Sequence, residues 1–336
     1  EPGEGEEEDE KKNKVKNKRG GDIKAGKQVS FSAKRFVRPM NALSSDNAAK
    51  TTHSASDVKL GFNNVSSLVD LVKVVPLVGG EAYKRSYVKS YGDGADYTAE
   101  NGAYAESEME FGMATIGKTK ITAYCEEPNE MLKLPNADFD SIVEDDVTRS
   151  IRRKMAREIL VGDGAEGHFT GIFHVPAKAS DDIIDRTKDI KLTAIDDGTL
   201  DEIVFSFGGD EDVEDVATLI LSKKDLKAFA KLRDKQGRKV YTILHNGNTG
   251  TIDGIQYVIN SVCGAVTDAQ SSADVYCMAY GPLSNYEMAV FSDLDAQRSD
   301  HYKFKEGQIA YRADVFAGGN VAAYNGFIRV VRPKSA

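Results

Sequence analysis

Few residues in this chain of 336 could do chemistry, and most lack the spacing that chemistry needs. Gly162, Gly164 and Gly167 spell G-x-G-x-x-G, the fingerprint of a dinucleotide site. That fingerprint works when a strand precedes it and a helix follows, so that pyrophosphate meets a helix N-terminus. Here a helical pattern precedes and GHFTGIF follows, so the glycines read as the turn that ends a helix. Five histidines (His53, His168, His174, His245 and His301) show no H-x-x-x-H or H-E-x-x-H spacing, which argues against zinc. The acidic stretch GGDEDVEDV, 208–216, lacks the register and closing Glu of a calcium loop and reads as solvated acid. No G-x-S-x-G elbow, P-loop or cysteine nucleophile motif appears. Lys, Arg and Tyr interleave in AYKRSYVKSY as in some single-strand nucleic-acid binders, but the period of two fits a paired strand with one polar face. The expectation is therefore no enzyme, no cofactor and no metal.

Composition narrows the class further. Aliphatic and aromatic content of 40% is ordinary for a globular chain. No apolar run approaches the ~20 residues needed to cross a bilayer, and no signal peptide opens the sequence. Cys125, Cys263 and Cys277 are sparse and far apart, which suits buried thiols in a reducing compartment. A net charge of -9 argues against the chain as a whole wrapping nucleic acid.

The element that must carry the glycine turn is a long amphipathic helix from Asp138 to Val161, roughly 36 Å of rod. Phe139, Ile142, Val143, Val147, Ile151, Met155 and Ile159 form one apolar stripe. Acids fill its first half and Arg149, Arg152, Arg153, Lys154 and Arg157 its second, in the sense that suits the helix dipole. Asn136 or Asp138 can cap its start.

Around this strut the sequence divides unevenly. EPGEGEEEDE carries seven acids in ten positions, and Lys11 to Arg38 carries eleven bases against the single acid Asp22. Residues 1 to about 58 have no apolar period and read as an extended, solvated arm. Val58 to Val78 suggests a short helix or turn leading into a strand. From Glu81 to Glu126, two alternating arms, AYKRSYVKSY and MEFGMATIGKTKITAYC, enclose a tip without large core residues. This flap is marginal alone, and no obvious second sheet in the sequence supports it. Further on, Leu200–Phe207 reads as a short helix and Ala217–Leu221 as a buried strand. Ser222 starts a helix to Leu232, with Asp225 completing a capping box. Strands follow at Ile252–Asn260, with an Asp253-Gly254 hairpin, at Val275–Tyr280, at Tyr286–Phe291 and in the C-terminal region to Val331. The class is mixed α+β, with helices and sheets segregated.

Three features together resemble one family. The strut ending in LVGDG and followed by FTGIF is similar to the spine helix of tailed-phage major capsid proteins. SKKDLKAFAKLRDKQGRKVY resembles their axial helix and turn, with Asp234, Gly237 and Arg238 in the D-x-x-G-R positions. The flap, with AENGAYAESEMEF at its tip, resembles their extended loop. The resemblance covers about residue 60 to the C-terminus. It implies an N-terminal arm and lead-in (1–80), an extended β-hairpin loop (81–126), a peripheral domain (127–194, completed by 299–336) and an axial domain (195–298).

The implied function is that of a major capsid subunit. Hexamers and pentamers would close into an icosahedral shell around double-stranded DNA in the virion, assembled in the host bacterial cytoplasm. The implied partners are a portal, a scaffolding segment, a maturation protease and a cement or decoration protein, with no membrane and no sequence-specific DNA contact. Residues 1 to about 45 exceed the family's usual mature arm and read as a scaffolding remnant or a longer arm. The expected inter-subunit contacts are Lys11, Lys12, Lys14, Lys16, Lys18 and Arg19 in the arm, and Asp93, Asp96, Tyr97, Glu100, Tyr104, Glu106 and Glu108 at the flap tip. Gly162, Asp163 and Gly164 after the strut, Asp234 and Arg238 in the axial turn, and His301 complete them. Tyr104 and His301 stand where the crosslinking member of the family has its lysine and asparagine, so no covalent chainmail is expected. Contact between the basic arm of one subunit and an acidic surface of another, such as the tip, is expected from charge. Two other readings are an encapsulin-type nanocompartment shell, whose members generally begin with a short amphipathic helix and lack such an arm, and a soluble nucleic-acid-binding protein that uses the basic arm.

Overall fold

The computed structural model describes residues 14–17, 21–24, 65–92, 95, 97, 98, 102, 104, 106, 108–128, 139–208, 216–269 and 271–335. The chain divides into two units, Glu1–Ala55 and Ser56–Ala336. In the first, Lys14–Asn17 and Gly21–Lys24 pair antiparallel, with Lys14 opposite Lys24 and Val15 opposite Ile23. A segment expected to be extended throughout thus contains a short hairpin. Its four-residue ladder is too brief for a period of two to stand out among the lysines.

The second unit is built round the long helix, Phe139–Val161, whose 23 residues span roughly 34 Å. Val147, Ile151, Met155 and Ile159 are buried as the stripe requires, and Ala156 and Leu160 widen it. Burial of each large aliphatic side chain contributes about 1.5–3 kcal/mol, so the second half of the helix carries most of the anchoring. Ile142 and Val143 are only partly buried, and Glu144, Asp145 and Asp146 are exposed. The candidate caps Asn136 and Asp138 lie outside the described residues. The expected dipole match fails at the C-terminus: the last turn holds no base, and Glu158 there pairs with Lys154 at 2.7 Å. The dipole acts only over the final turn, which Arg157 and its neighbours do not reach.

A five-stranded sheet packs against this helix. Its centre is Gln308–Val321, one edge of which pairs with Thr119–Pro128 along ten residues, from Gln308 opposite Pro128 to Ala317 opposite Thr119. The other edge takes Asp295–Lys303 and then Tyr286–Val290, which continues in parallel to Lys73–Pro76. The short helix Leu68–Leu71 precedes that last strand, as expected.

The pairing of Thr119–Pro128 corrects the reading of the flap. Its second arm is two strands. Glu110–Gly117 pairs with Ala82–Ser90 in a separate two-stranded sheet, and the chain then changes sheets at Lys118. The flap therefore does stand on a second sheet of its own chain. The period of two holds within each strand, but the buried set moves from the even positions Ala114 and Ile116 to the odd positions Thr119 and Ile121 across Gly117 and Lys118, a slip that the sequence reading passed over.

The remaining core lies in a seven-stranded sheet. Its order is Ile190–Lys191, Ile328–Arg332, Val275–Gly281, Thr218–Leu221, Ile255–Ile259, Thr249–Ile252 and Ile243–Asn246. Leu219, Leu221, Phe229, Tyr257, Met278 and Val330 fill one face with the helices Thr199–Phe205 and Lys223–Lys231. Asp253 (φ 46°) and Gly254 (φ 92°) make the expected tight turn. The capping box is half formed. Ser222 accepts the Asp225 N–H, but the fully buried Asp225 carboxylate accepts the Val266 N–H at 3.0 Å instead of reaching back. Asp is one methylene shorter than the Glu such a box uses.

Candidate assembly surfaces

The flap is a hairpin buried on one face at its root only. Ala114 and Ile116 are buried, and Ile116 packs with Ala289 and Phe291 of the body. Asn320 donates its Nδ2 to the Thr115 carbonyl at 3.1 Å, and Tyr87 stacks on Tyr324 with ring centroids 6.3 Å apart. Opposite Tyr87 stands Gly112, where a Cβ would lie 2.3 Å from the Tyr87 ring, so the missing side chain makes room for that aromatic. The other face carries Phe111 and Met113, 67% and 58% exposed. Large apolar side chains aligned on an uncovered sheet face mark an interaction surface. At the tip, Tyr97, Tyr104, Glu106 and Glu108 are exposed, while Asp93, Asp96 and Glu100 lie outside the described residues.

The turn after the long helix explains its glycines without a nucleotide. The chain returns along the helix end, where the N–H groups of Ile172 and Phe173 donate to the carbonyls of Ile159 and Leu160 at 2.9 and 2.8 Å. These are orphan acceptors of a helix terminus, satisfied here from outside the helix. The return must come close. A Cβ at Gly162 would lie 2.3 Å from the Phe169 carbonyl oxygen, and one at Gly171 2.5 Å from the Leu160 carbonyl oxygen. Gly162 is therefore engaged in its own chain's turn. Asp163 is exposed and accepts from the Ala165 N–H and, at 2.7 Å, pairs with His168. These two contacts, the backbone N–H first, hold its carboxyl below the usual range. His174 lies beside Gly164, and burial lowers its pKa against the opposing pull of Asp163.

Asp234 and Arg238 belong to a tight exposed turn. One Asp234 oxygen accepts the N–H groups of Gln236 and Arg238, both at 2.8 Å, and Gly237 takes φ 81°. The D-x-x-G-R pattern thus builds backbone, leaving the Arg238 side chain exposed. His301 is exposed on Asp295–Lys303, where the ladder is interrupted between Ser299 and Lys303. Of the arm residues, Lys14 and Lys16 lie in the first hairpin strand, and Lys11, Lys12, Lys18 and Arg19 lie outside the described residues.

Sequence reasoning missed the ion pair that ties the strand Ile328–Arg332 to the segment before Ile190–Lys191 and to the return after the long helix. Arg329, 1% exposed, donates to both oxygens of Asp189 at 2.8 and 3.0 Å and to the His174 carbonyl at 3.0 Å. Its guanidinium lies 5.1 Å from the Tyr276 ring centre, and the Tyr276 hydroxyl donates to Asp189 at 3.2 Å. Burial pushes the Asp189 carboxyl up, and its donors, Arg329 foremost, act against that. An arginine inside a short strand carries no local mark of the face it takes, so no sequence signal pointed to Arg329. Among the described residues no cluster could hold a metal, and no helix is long and apolar enough to cross a membrane.

A rod, a root-anchored flap and two large sheets define a structural building block. Residues 52–331 match the model of the Phage capsid family, and the chain belongs to that family. No curated protein matches the chain. Its fold is similar to the capsid of a native GTA particle computed with C5 symmetry, at 19% identity and a TM-score of 0.66, covering 87% of this chain and 100% of that one. A chain from Mycobacterium phage Bobi is similar at 15% identity and TM-score 0.57, covering 85% and 96%. One from Gordonia phage Cozz reaches 14% and 0.57, covering 94% and 97%. The protein is a structural capsid subunit.

Proposed function

We propose that hexamers and pentamers of this chain close into an icosahedral shell that encloses double-stranded DNA in the virion. The observation that carries this is the flap, whose root packs on its own body while Phe111 and Met113 stay uncovered on the opposite face. Burial of such a strip by a neighbouring copy contributes about 25 cal/mol per Å², repeated at every equivalent contact of a lattice. The opposed charges of Lys11–Arg38 and Asp93–Glu108 support contact between copies, each exposed pair adding about 0–1 kcal/mol and weakening with salt. In this reading residues 127–194 with 299–336 form the peripheral domain, 195–298 the axial domain, and 81–126 the extended loop. The portal, scaffolding segment, protease and decoration protein follow from the family, as does assembly in the host cytoplasm.

Electron microscopy of the purified protein tests the proposal. Angular shells containing DNA are expected. Small shells with protein cargo would favour a nanocompartment, and discrete small oligomers would overturn the reading. Lattice stability should also fall from low to high salt, and a flat response would remove the charge contribution.

A further inference from the structure

Glu287 sits under the flap root as a buried carboxylate used on one side only. It is 2% exposed, and in its sheet it stands between Lys73 on one neighbouring strand and Asn320 on the other. Lys73 donates to Oε1 at 2.7 Å. Arg85, on the first flap strand, places its Nε 3.6 Å from the same Oε1, beyond a hydrogen bond. Oε2 is buried and has no donor. A carboxylate oxygen removed from water without a donor bears its whole desolvation penalty, so this arrangement is under-satisfied by one hydrogen bond. Arg85, half exposed and carried by the flap, is within ion-pair distance of this carboxylate but too far to hydrogen-bond it.

The root is built to let that cation move. Between Lys73–Pro76 and the flap lie Gly79 (φ 74°) and Gly80 (φ 97°), two successive residues in the left-handed region with open space around them. On the return side the chain changes sheets at Gly117 and Lys118, tied across the root by one backbone hydrogen bond from Lys118 to Glu81 at 3.0 Å. The flap's own sheet shares no strand with the body. Rotation about these two points would move Arg85 relative to Glu287 and keep the strand pairing of both sheets, at the expense of the Ile116, Asn320–Thr115 and Tyr87–Tyr324 contacts.

We propose that Glu287 is the positioning residue of the flap: a latch with a second setting, in which Arg85 closes on Glu287 with two parallel hydrogen bonds. Lys73 holds the carboxylate in the open setting described here. In the closed setting the planar guanidinium fork serves both oxygens, which an ammonium cannot do. The latch fixes the direction in which the flap projects. It is a property of the chain's own hinge, so it stands whether or not the flap grips a neighbour.

Hydrogen–deuterium exchange on the full-length protein tests this, read at the flap strands Ala82–Ser90 and Glu110–Gly117. Arg85→Met should speed exchange there about tenfold, the scale of one charge-assisted hydrogen bond, and unchanged exchange overturns the proposal. Lys73→Met should leave exchange unchanged or slow it, because Arg85 then has Glu287 to itself. Faster exchange in that variant would make Lys73 the sole holder and end the idea. In a Glu287→Gln background, Arg85→Met should have no further effect, and a surviving effect would assign Arg85 to another partner. Unchanged protection of the seven-stranded sheet certifies that each variant folds.

Discussion

Arg329, buried, and Asp189, largely buried, form an ion pair that also takes up the His174 carbonyl and the Tyr276 hydroxyl. Removing one partner leaves the other charge buried and alone, which costs about 3–5 kcal/mol. Asp189→Asn should therefore lower the denaturant midpoint sharply, while Asp300→Asn, on the exposed pair with Arg298, should change it little. His174 gives a pH dependence with a definite sign. Burial lowers its pKa in the fold, so the unfolded chain takes up the proton first as pH falls. The contribution of His174 is then complete above about pH 6.5 and is lost as pH drops through the folded value. Thermal melting from pH 8 to pH 5 should show this loss, and His174→Gln should flatten it. The strut's stripe was legible at this scale because burial follows the helical period. The Arg329 pair was not, because an alternating strand gives no sign of which polar residue faces inward.

At the scale of elements, the turn after the long helix is the most constrained. Gly171 needs a small residue because backbone, not a yielding side chain, fills the space where a Cβ would go. Gly171→Ala should destabilise by about 1–3 kcal/mol through forced separation of the return segment from the helix end. Gly237→Ala has open space but keeps its positive φ, and should cost about 1 kcal/mol. Comparing the two melting shifts separates close approach from backbone conformation. The helix and its glycine stop were visible in the sequence. The sheet change at Lys118 was not, since its local sign is a one-position slip of the buried set and the pairing partners lie far apart in sequence.

For the whole molecule, the phage capsid family match over residues 52–331 takes in both the strut and the root-held flap. Tyr104 and His301, both exposed, have no chemistry for an isopeptide bond between copies. Denaturing gels of intact particles should accordingly show a single band at the mass of the monomer, and a ladder would refute this.

The sequence by itself determined the rod, the tight turns, the buried strands and the uneven charge, because those depend on neighbours within a few positions. Only the tertiary structure decided that the flap stands on its own chain's sheet, that Arg329 meets Asp189 in the interior and that Glu287 meets two cations. Each of these joins residues separated by scores of positions, and the balance between desolvation and pairing that governs them exists only once the chain has closed on itself.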